Sequence, residues 1–191
     1  MYPTVKRFLD FFAALLLLAV LSPVFAAVAV LIKAESPGPV IFRQKRAGKN
    51  RRLFTIYKFR TMRADAPKDT PTHLLQDPRS YVTGTGKVLR RLSLDELPQL
   101  VNILRGDMSF VGPRPALWNQ DDLLAERERL GANGAAPGLT GWAQVNGRDE
   151  LPIPVKAGFD GEYAARRSFA FDAKIALLTV KKVFTGEGIR R

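Results

Sequence analysis

Arg90-Arg-Leu-Ser-Leu-Asp95-Glu96-Leu-Pro-Gln-Leu-Val-Asn-Ile-Leu104 sets two adjacent carboxylates against a basic background just where a helix begins. Leu97, Leu100, Val101 and Leu104 recur at helical spacing and predict a core-facing stripe, which turns Asp95, Gln99 and Asn102 toward the polar side with Glu96 on the flank. Pro98 is tolerated in a first turn, so the helix is expected to start between Ser93 and Glu96, with both carboxylates at its positive end. Ser93 and Glu96 also fit a capping box, a purely structural use of the same residues. Arg90 and Arg91 favour chemistry instead, because a solvated cap has no need of an arginine pair one turn upstream whereas a phosphate-handling site does.

Outward from this stretch, Gly106 is placed to end the helix, and Asp107 to Pro115 follows, with Pro113 and Pro115 fixing the backbone around Arg114. An arginine held this way loses less entropy on gripping a phosphate or carboxylate. Upstream, Val40 to Gln44 and Leu53 to Phe59 read as a hairpin around Gly48-Lys-Asn50. Its second strand puts Lys58 and Arg60 on one face and Phe59 on the other. Ala64 to Ser80 is proline-rich and irregular, either a plain loop or a lid, and His73 within it has no evident partner. Val88, Leu89 and Leu92 mark a short helix leading into the central stretch. Asn119 to Leu130 reads as a charged surface helix capped by Asn119, and Gly138 to Arg148 as a glycine-bounded strand ending in an arginine. The tail from Phe169 gathers Ala176, Leu177, Val180, Val183 and Phe184 on one face, fit either to pack on the domain or to lie in a lipid interface.

The chain opens with Lys6 and Arg7 and then runs apolar and uncharged from Phe11 to Ile32, ~33 Å as a straight helix and long enough to cross a bilayer. Ser22-Pro23 breaks that run, since the proline frees the carbonyl of Ala19 and the serine hydroxyl can bond back to a carbonyl. A signal peptide, a kinked spanning helix and a re-entrant helix-break-helix all compete for the segment. Continuation of the apolar run to Ile32 disfavours the first. The basic residues on both sides, Lys6 and Arg7 before and Lys33 to Arg52 after, favour the third over the second.

Composition sets the outer limits. A chain of 191 residues with 46% hydrophobic content allows one domain, or one domain plus an anchor, the division expected being 1–34 and 35–191, and its formal charge of +12 points to an anionic partner. The absence of cysteine and the lone histidine exclude disulfide frameworks, thiolate metal sites and histidine-rich ones. A tethered basic module for nucleic acid or anionic lipid would explain the charge, but not an acidic pair among arginines.

Lys58-Phe-Arg-Thr-Met62, Ser93-Leu-Asp-Glu-Leu-Pro-Gln-Leu100, Gly106-Asp-Met-Ser-Phe-Val-Gly-Pro-Arg-Pro115, Pro137-Gly-Leu-Thr-Gly141 and Asn146-Gly-Arg148, in that order, resemble the bacterial sugar transferase family. These are the monotopic polyprenyl-phosphate phosphoglycosyl transferases, and the likeness is to their minimal catalytic form. The resemblance implies an α+β fold: a re-entrant membrane helix broken at Ser22-Pro23, a small cytoplasmic domain of helices with a short sheet, and amphipathic interfacial helices. It implies transfer of a phosphosugar from a UDP-sugar to undecaprenyl phosphate at the cytoplasmic face of the bacterial inner membrane, with release of UMP. Nucleic acid is not an expected partner. Asp95 matches the family's nucleophile, Glu96 lies near its Mg2+ ion, and Lys58, Arg90, Arg114 and Arg148 match its basic positions. Asp160 and Asp172 match acidic positions less securely, because Tyr163-Ala-Ala-Arg-Arg-Ser168 departs from the expected pattern.

Overall fold

The computed structural model describes residues 1–67, 78–147 and 151–185. Helix α1 (Tyr2–Val20) and helix α2 (Ser22–Glu35) meet at Leu21 with a bend of 61°. The break has the local chemistry expected of Ser22-Pro23, with the serine hydroxyl donating to the freed Ala19 carbonyl at 2.8 Å. Among the described residues no single helix is long and apolar enough to cross a membrane, although the bent pair together is.

Arg60 fixes the exit from α2. Its guanidinium donates to the carbonyls of Pro37 and Ser36 and to the Ser36 hydroxyl, holding the Ser-Pro-Gly-Pro turn to the end of the hairpin. Strand β1 (Ile41–Ala47) pairs antiparallel with β2 (Leu53–Phe59) in the register Phe42 to Lys58, with a 3-10 turn at Lys49–Arg51 between them. A single helical turn α3 (Pro78–Tyr81) precedes α4 (Gly84–Arg91), which is capped by the Thr83 hydroxyl.

The central stretch is a 3-10 turn at Leu94–Glu96 followed by α5 (Gln99–Arg105). Ser93 takes a left-handed φ of 55° and makes no capping bond, so the capping box is not used; the residue turns the chain out of α4 instead. Gly106 closes α5 at φ 88°, as its position after the last apolar residue foretold.

One face of α5 departs from the expectation. Gln99 and Asn102 are buried, and Asn102 straps the outer edge of β2 by accepting from the Tyr57 amide at 3.1 Å and donating to the Thr55 carbonyl at 2.7 Å. A hairpin edge leaves outward backbone groups that must be satisfied, and a buried amide side chain does this where a solvated one could not. Leu100 and Ile103 pack with Ala14 of α1, Ile56 of β2 and Met108. Val28 and Ile32 of α2 similarly enclose Phe59 and Leu89.

Strand β3 (Ser109–Val111) runs parallel to β5 (Gly138–Thr140), while β4 (Ala116–Leu117) adds to β1, giving the order β2-β1-β4. Gly112 lies so close to the Ala136 carbonyl that an added Cβ would come within 2.2 Å, which fixes where Pro113 and Arg114 leave the sheet. Helix α6 (Asp121–Arg129) starts after Gln120 without the Asn119 cap foreseen for it. The glycine-bounded strand is confined to β5, because Gly141 passes directly into α7 (Trp142–Val145). Helices α8 (Ile153–Arg166) and α9 (Phe169–Thr185) complete the fold. In α9 the packed face is Phe171, Ile175 and the half-buried Leu178, whereas Leu177 and Val180 of the face named from sequence are exposed. His73 lies outside the described residues.

Candidate active site

The tight turn after α4 carries Asp95 and Glu96 to the end of β2 and beneath the Pro-Arg-Pro segment. Glu96 Oε1 accepts from Lys58 Nζ at 2.8 Å and from Arg114 Nη2 at 3.2 Å. Strand β2 supplies the lysine, and the rigid segment after β3 supplies the arginine. Arg90, from the last turn of α4, is steadied by donation from its Nε to the Thr61 hydroxyl at 2.8 Å.

The two carboxylates are treated in opposite ways. Burial pushes the Glu96 carboxyl up, but the charges of Lys58 and Arg114 and their hydrogen bonds outweigh this and hold it far below the usual range. Burial pushes Asp95 above the usual range; Lys58 pulls it down, ionised Glu96 pushes it up, and Arg90 and Arg114 pull it down again. Among the described residues no hydrogen bond or salt bridge ties Asp95 in place. Among the described residues, Lys58, Arg90 and Arg114 thus gather about the two carboxylates, of which Asp95 is left unclamped.

That arrangement suits an anionic substrate. The clustered cations favour a diphosphate, and a carboxylate with raised basicity is a better nucleophile than one neutralised by an ion pair. Among the described residues no cluster of three or more His, Asp or Glu could form a complete protein cage for a metal. A hard divalent ion needs less, because Mg2+ is commonly held by one or two carboxylates together with substrate phosphates. Both cations of the clamp meet on Glu96 Oε1, leaving Oε2 and the Asp95 carboxylate as donors for such an ion.

The other expected site residues go elsewhere. Asp160 is 1% exposed and accepts from Arg127 Nε at 2.8 Å and Nη2 at 2.6 Å. The same Nη2 donates to the Arg114 carbonyl at 3.0 Å, so Asp160 bears on the dyad through the backbone that carries Arg114. Asp172 accepts from Tyr2 and Tyr163 hydroxyls at 2.7 and 2.9 Å and from Lys6 at 2.8 Å, joining the start of α1 to α8 and α9. Arg148 lies outside the described residues.

Arg127 is the residue that sequence reasoning missed. It shares the buried side of α6 with Leu123 and Leu124, and an arginine at apolar spacing was the available signal.

The family model described as bacterial sugar transferase matches residues 1–186. A Bacillus subtilis (strain 168) protein named uncharacterized sugar transferase EpsL is 41% identical over 97% of this chain and 90% of its own length. The Escherichia coli (strain K12) UDP-glucose:undecaprenyl-phosphate glucose-1-phosphate transferase is 44% identical over 95% of this chain and 40% of its own. The Aeromonas hydrophila UDP-N-acetylgalactosamine-undecaprenyl-phosphate N-acetylgalactosaminephosphotransferase is 40% identical over 99% and 46%, so this chain spans less than half of the latter two relatives.

Proposed function

The chain belongs to the bacterial sugar transferase family, and on that premise we propose that it moves a phosphosugar from a UDP-sugar to undecaprenyl phosphate, releasing UMP. The observation that carries the mechanism is the unequal dyad: Glu96 clamped between Lys58 and Arg114, Asp95 half-buried and unclamped beside it.

An Asp95 carboxylate oxygen attacks the sugar-bearing phosphorus, and the bond from that phosphorus to the bridging oxygen breaks, with UMP leaving on that oxygen. Lys58, Arg90 and Arg114 orient the diphosphate and offset the charge that gathers on it. An oxygen of undecaprenyl phosphate then attacks the aspartyl phosphosugar, forming the lipid diphosphate sugar and returning Asp95 as a carboxylate. A Mg2+ ion held at Glu96 would supply further charge neutralisation of the phosphates. Division into two steps lets one site serve a soluble donor and a lipid acceptor in turn.

The lipid side of the proposal rests on exposed apolar surface. Phe8, Leu9, Phe12, Leu15, Leu16 and Val20 of α1, with Val30 and Leu31 of α2, are exposed large hydrophobics opposite the faces packed on the domain. The bent pair enters one leaflet and returns, keeping both its ends at the cytoplasmic face of the inner membrane. Cysteines introduced near residues 2 and 49 are then both shielded from an impermeant thiol reagent in intact cells; labelling of one alone would make the pair a spanning helix. For the activity, protein in nanodiscs is given Mg2+, undecaprenyl phosphate and a panel of UDP-sugars. UMP and a lipid-linked phosphosugar are expected from at least one donor, and silence across a broad panel would reject the assignment.

A further inference from the structure

The segment from α4 through the dyad turn to α5 is gripped at both of its far ends by the bent helix pair. At one end, Glu35, the last residue of α2, accepts the Gly84 amide on Oε1 at 2.6 Å and the Thr85 amide on Oε2 at 2.9 Å, the opening amides of α4. At the other end, Arg7 of α1 donates from Nη1 to the Ile103 carbonyl at 2.5 Å and from Nη2 to the Leu104 carbonyl at 2.7 Å, in the last turn of α5. Each charge has the sign that its helix end favours, an anion at the amino end of α4 and a cation at the carboxyl end of α5.

The space between the two grips is packed. Val28 and Ile32 of α2 enclose Leu89 and meet Leu94 and Leu97 on either side of the dyad, while Ala14 of α1 packs on Leu100 and Ile103. Helix α2 therefore follows α4, helix α1 follows α5, and the bend between α1 and α2 has its counterpart in the turn that carries Asp95 and Glu96. Arg90 stands on the α4 side of that turn and α5 on the other. A change of angle within the helix pair would alter the separation of Arg90 from Asp95 unless one of the grips were released.

We propose that Arg7 and Glu35 are positioning residues: the bent helix pair sets the geometry of the dyad turn by holding α4 and α5 at their outer ends. The pair is thus a template for the site as well as an apolar anchor. Neither residue is among the charged groups that act on the dyad. Each acts through a helix terminus, Glu35 on the one that delivers Arg90 and Arg7 on the one that backs the dyad.

The chain has no cysteine, so a pair introduced by Lys87→Cys and Arg105→Cys, both exposed, carries spin labels without background. The full chain in nanodiscs is expected to give one narrow α4 to α5 distance distribution. Adding Arg7→Gln or Glu35→Gln is expected to broaden it at least about two-fold, because one end of the segment is freed. On the unlabelled chain, and resting on the transferase reading, the same variants are expected to lose kcat on the order of ten-fold with donor KM within about two-fold, the pattern of a misplaced reacting group. Arg7→Lys, which keeps the charge but loses the fork, should fall between. If either glutamine variant lowers the thermal midpoint but its folded fraction keeps the narrow distribution, the residue is only a stabiliser and the proposal fails. The distance readout needs no substrate, so it decides the matter even if no UDP-sugar is turned over.

Discussion

Two carboxylate clamps lie on opposite sides of Arg114, and they differ in what they leave over. Asp160 and Arg127 form a closed pair, 1% and 5% exposed at their side chains, in which the guanidinium meets the carboxylate through two nitrogens. Glu96, Lys58 and Arg114 form an open one, 17%, 17% and 31% exposed, with Asp95 half-buried alongside and held by neither cation. Arg114 belongs to both, with its side chain on Glu96 and its carbonyl accepting from Arg127. The closed pair has matched charges and is suited to holding a shape. The open one gathers cations beside a carboxylate in reserve, which is what capture of a diphosphate followed by attack on phosphorus requires.

Substitutions should separate the two. The largest effect is expected from Asp95→Asn, a loss of at least ~10³-fold in turnover with the thermal midpoint and nucleotide-sugar binding almost unchanged. Full activity in that variant would end the comparison, since the unclamped carboxylate would then have no role. Arg127→Met should act on the other clamp and chiefly on stability, at a cost of about 3–5 kcal/mol, because it strands a buried charge at Asp160. Much of that loss should return in the double variant Arg127→Met/Asp160→Leu, in which no charge is left unpaired; thermal unfolding of both proteins checks the pattern. Arg114→Lys is the mildest of the three. It retains charge beside Glu96 and the backbone carbonyl to Arg127, so stability should hold while kcat falls roughly 10- to 100-fold through loss of the planar fork.

What the sequence made legible was mostly local. Ser22-Pro23 specified both the break and the hydrogen bond that eases it, since Ala19 is within one turn. The hairpin and its alternating faces followed from branched and aromatic residues around a turn. Lys58 and Arg114 could be placed near Glu96 only through resemblance to a family, because nothing in their own neighbourhoods points across 38 and 18 residues to that carboxylate. Periodicity assigned Gln99 and Asn102 to a polar face, but it could not reveal that a strand edge would cover that face and need its amide. The same limit applies to α9, where apolar residues recur on two faces and only the packed fold tells Ile175 from Leu177. Asp160 and Asp172 were matched to acidic site positions through the same resemblance, and the fold holds both in ion pairs away from the dyad. Their partners, Arg127 in one case and Lys6 with two tyrosines in the other, come from distant segments that no spacing rule connects.

Asp95 is expected to become covalently loaded while Glu96 remains in its clamp. This is tested most directly without the acceptor: protein in nanodiscs receives Mg2+ and a productive UDP-sugar, and UMP is quantified while the peptide containing Asp95 is weighed by mass spectrometry. A burst approaching one equivalent of UMP is expected, with a phosphosugar mass on that peptide and loss of the mass when undecaprenyl phosphate is added. Release of UMP only when both substrates are present, with no adduct on Asp95 under any condition, would contradict it and make direct attack by the lipid phosphate the mechanism.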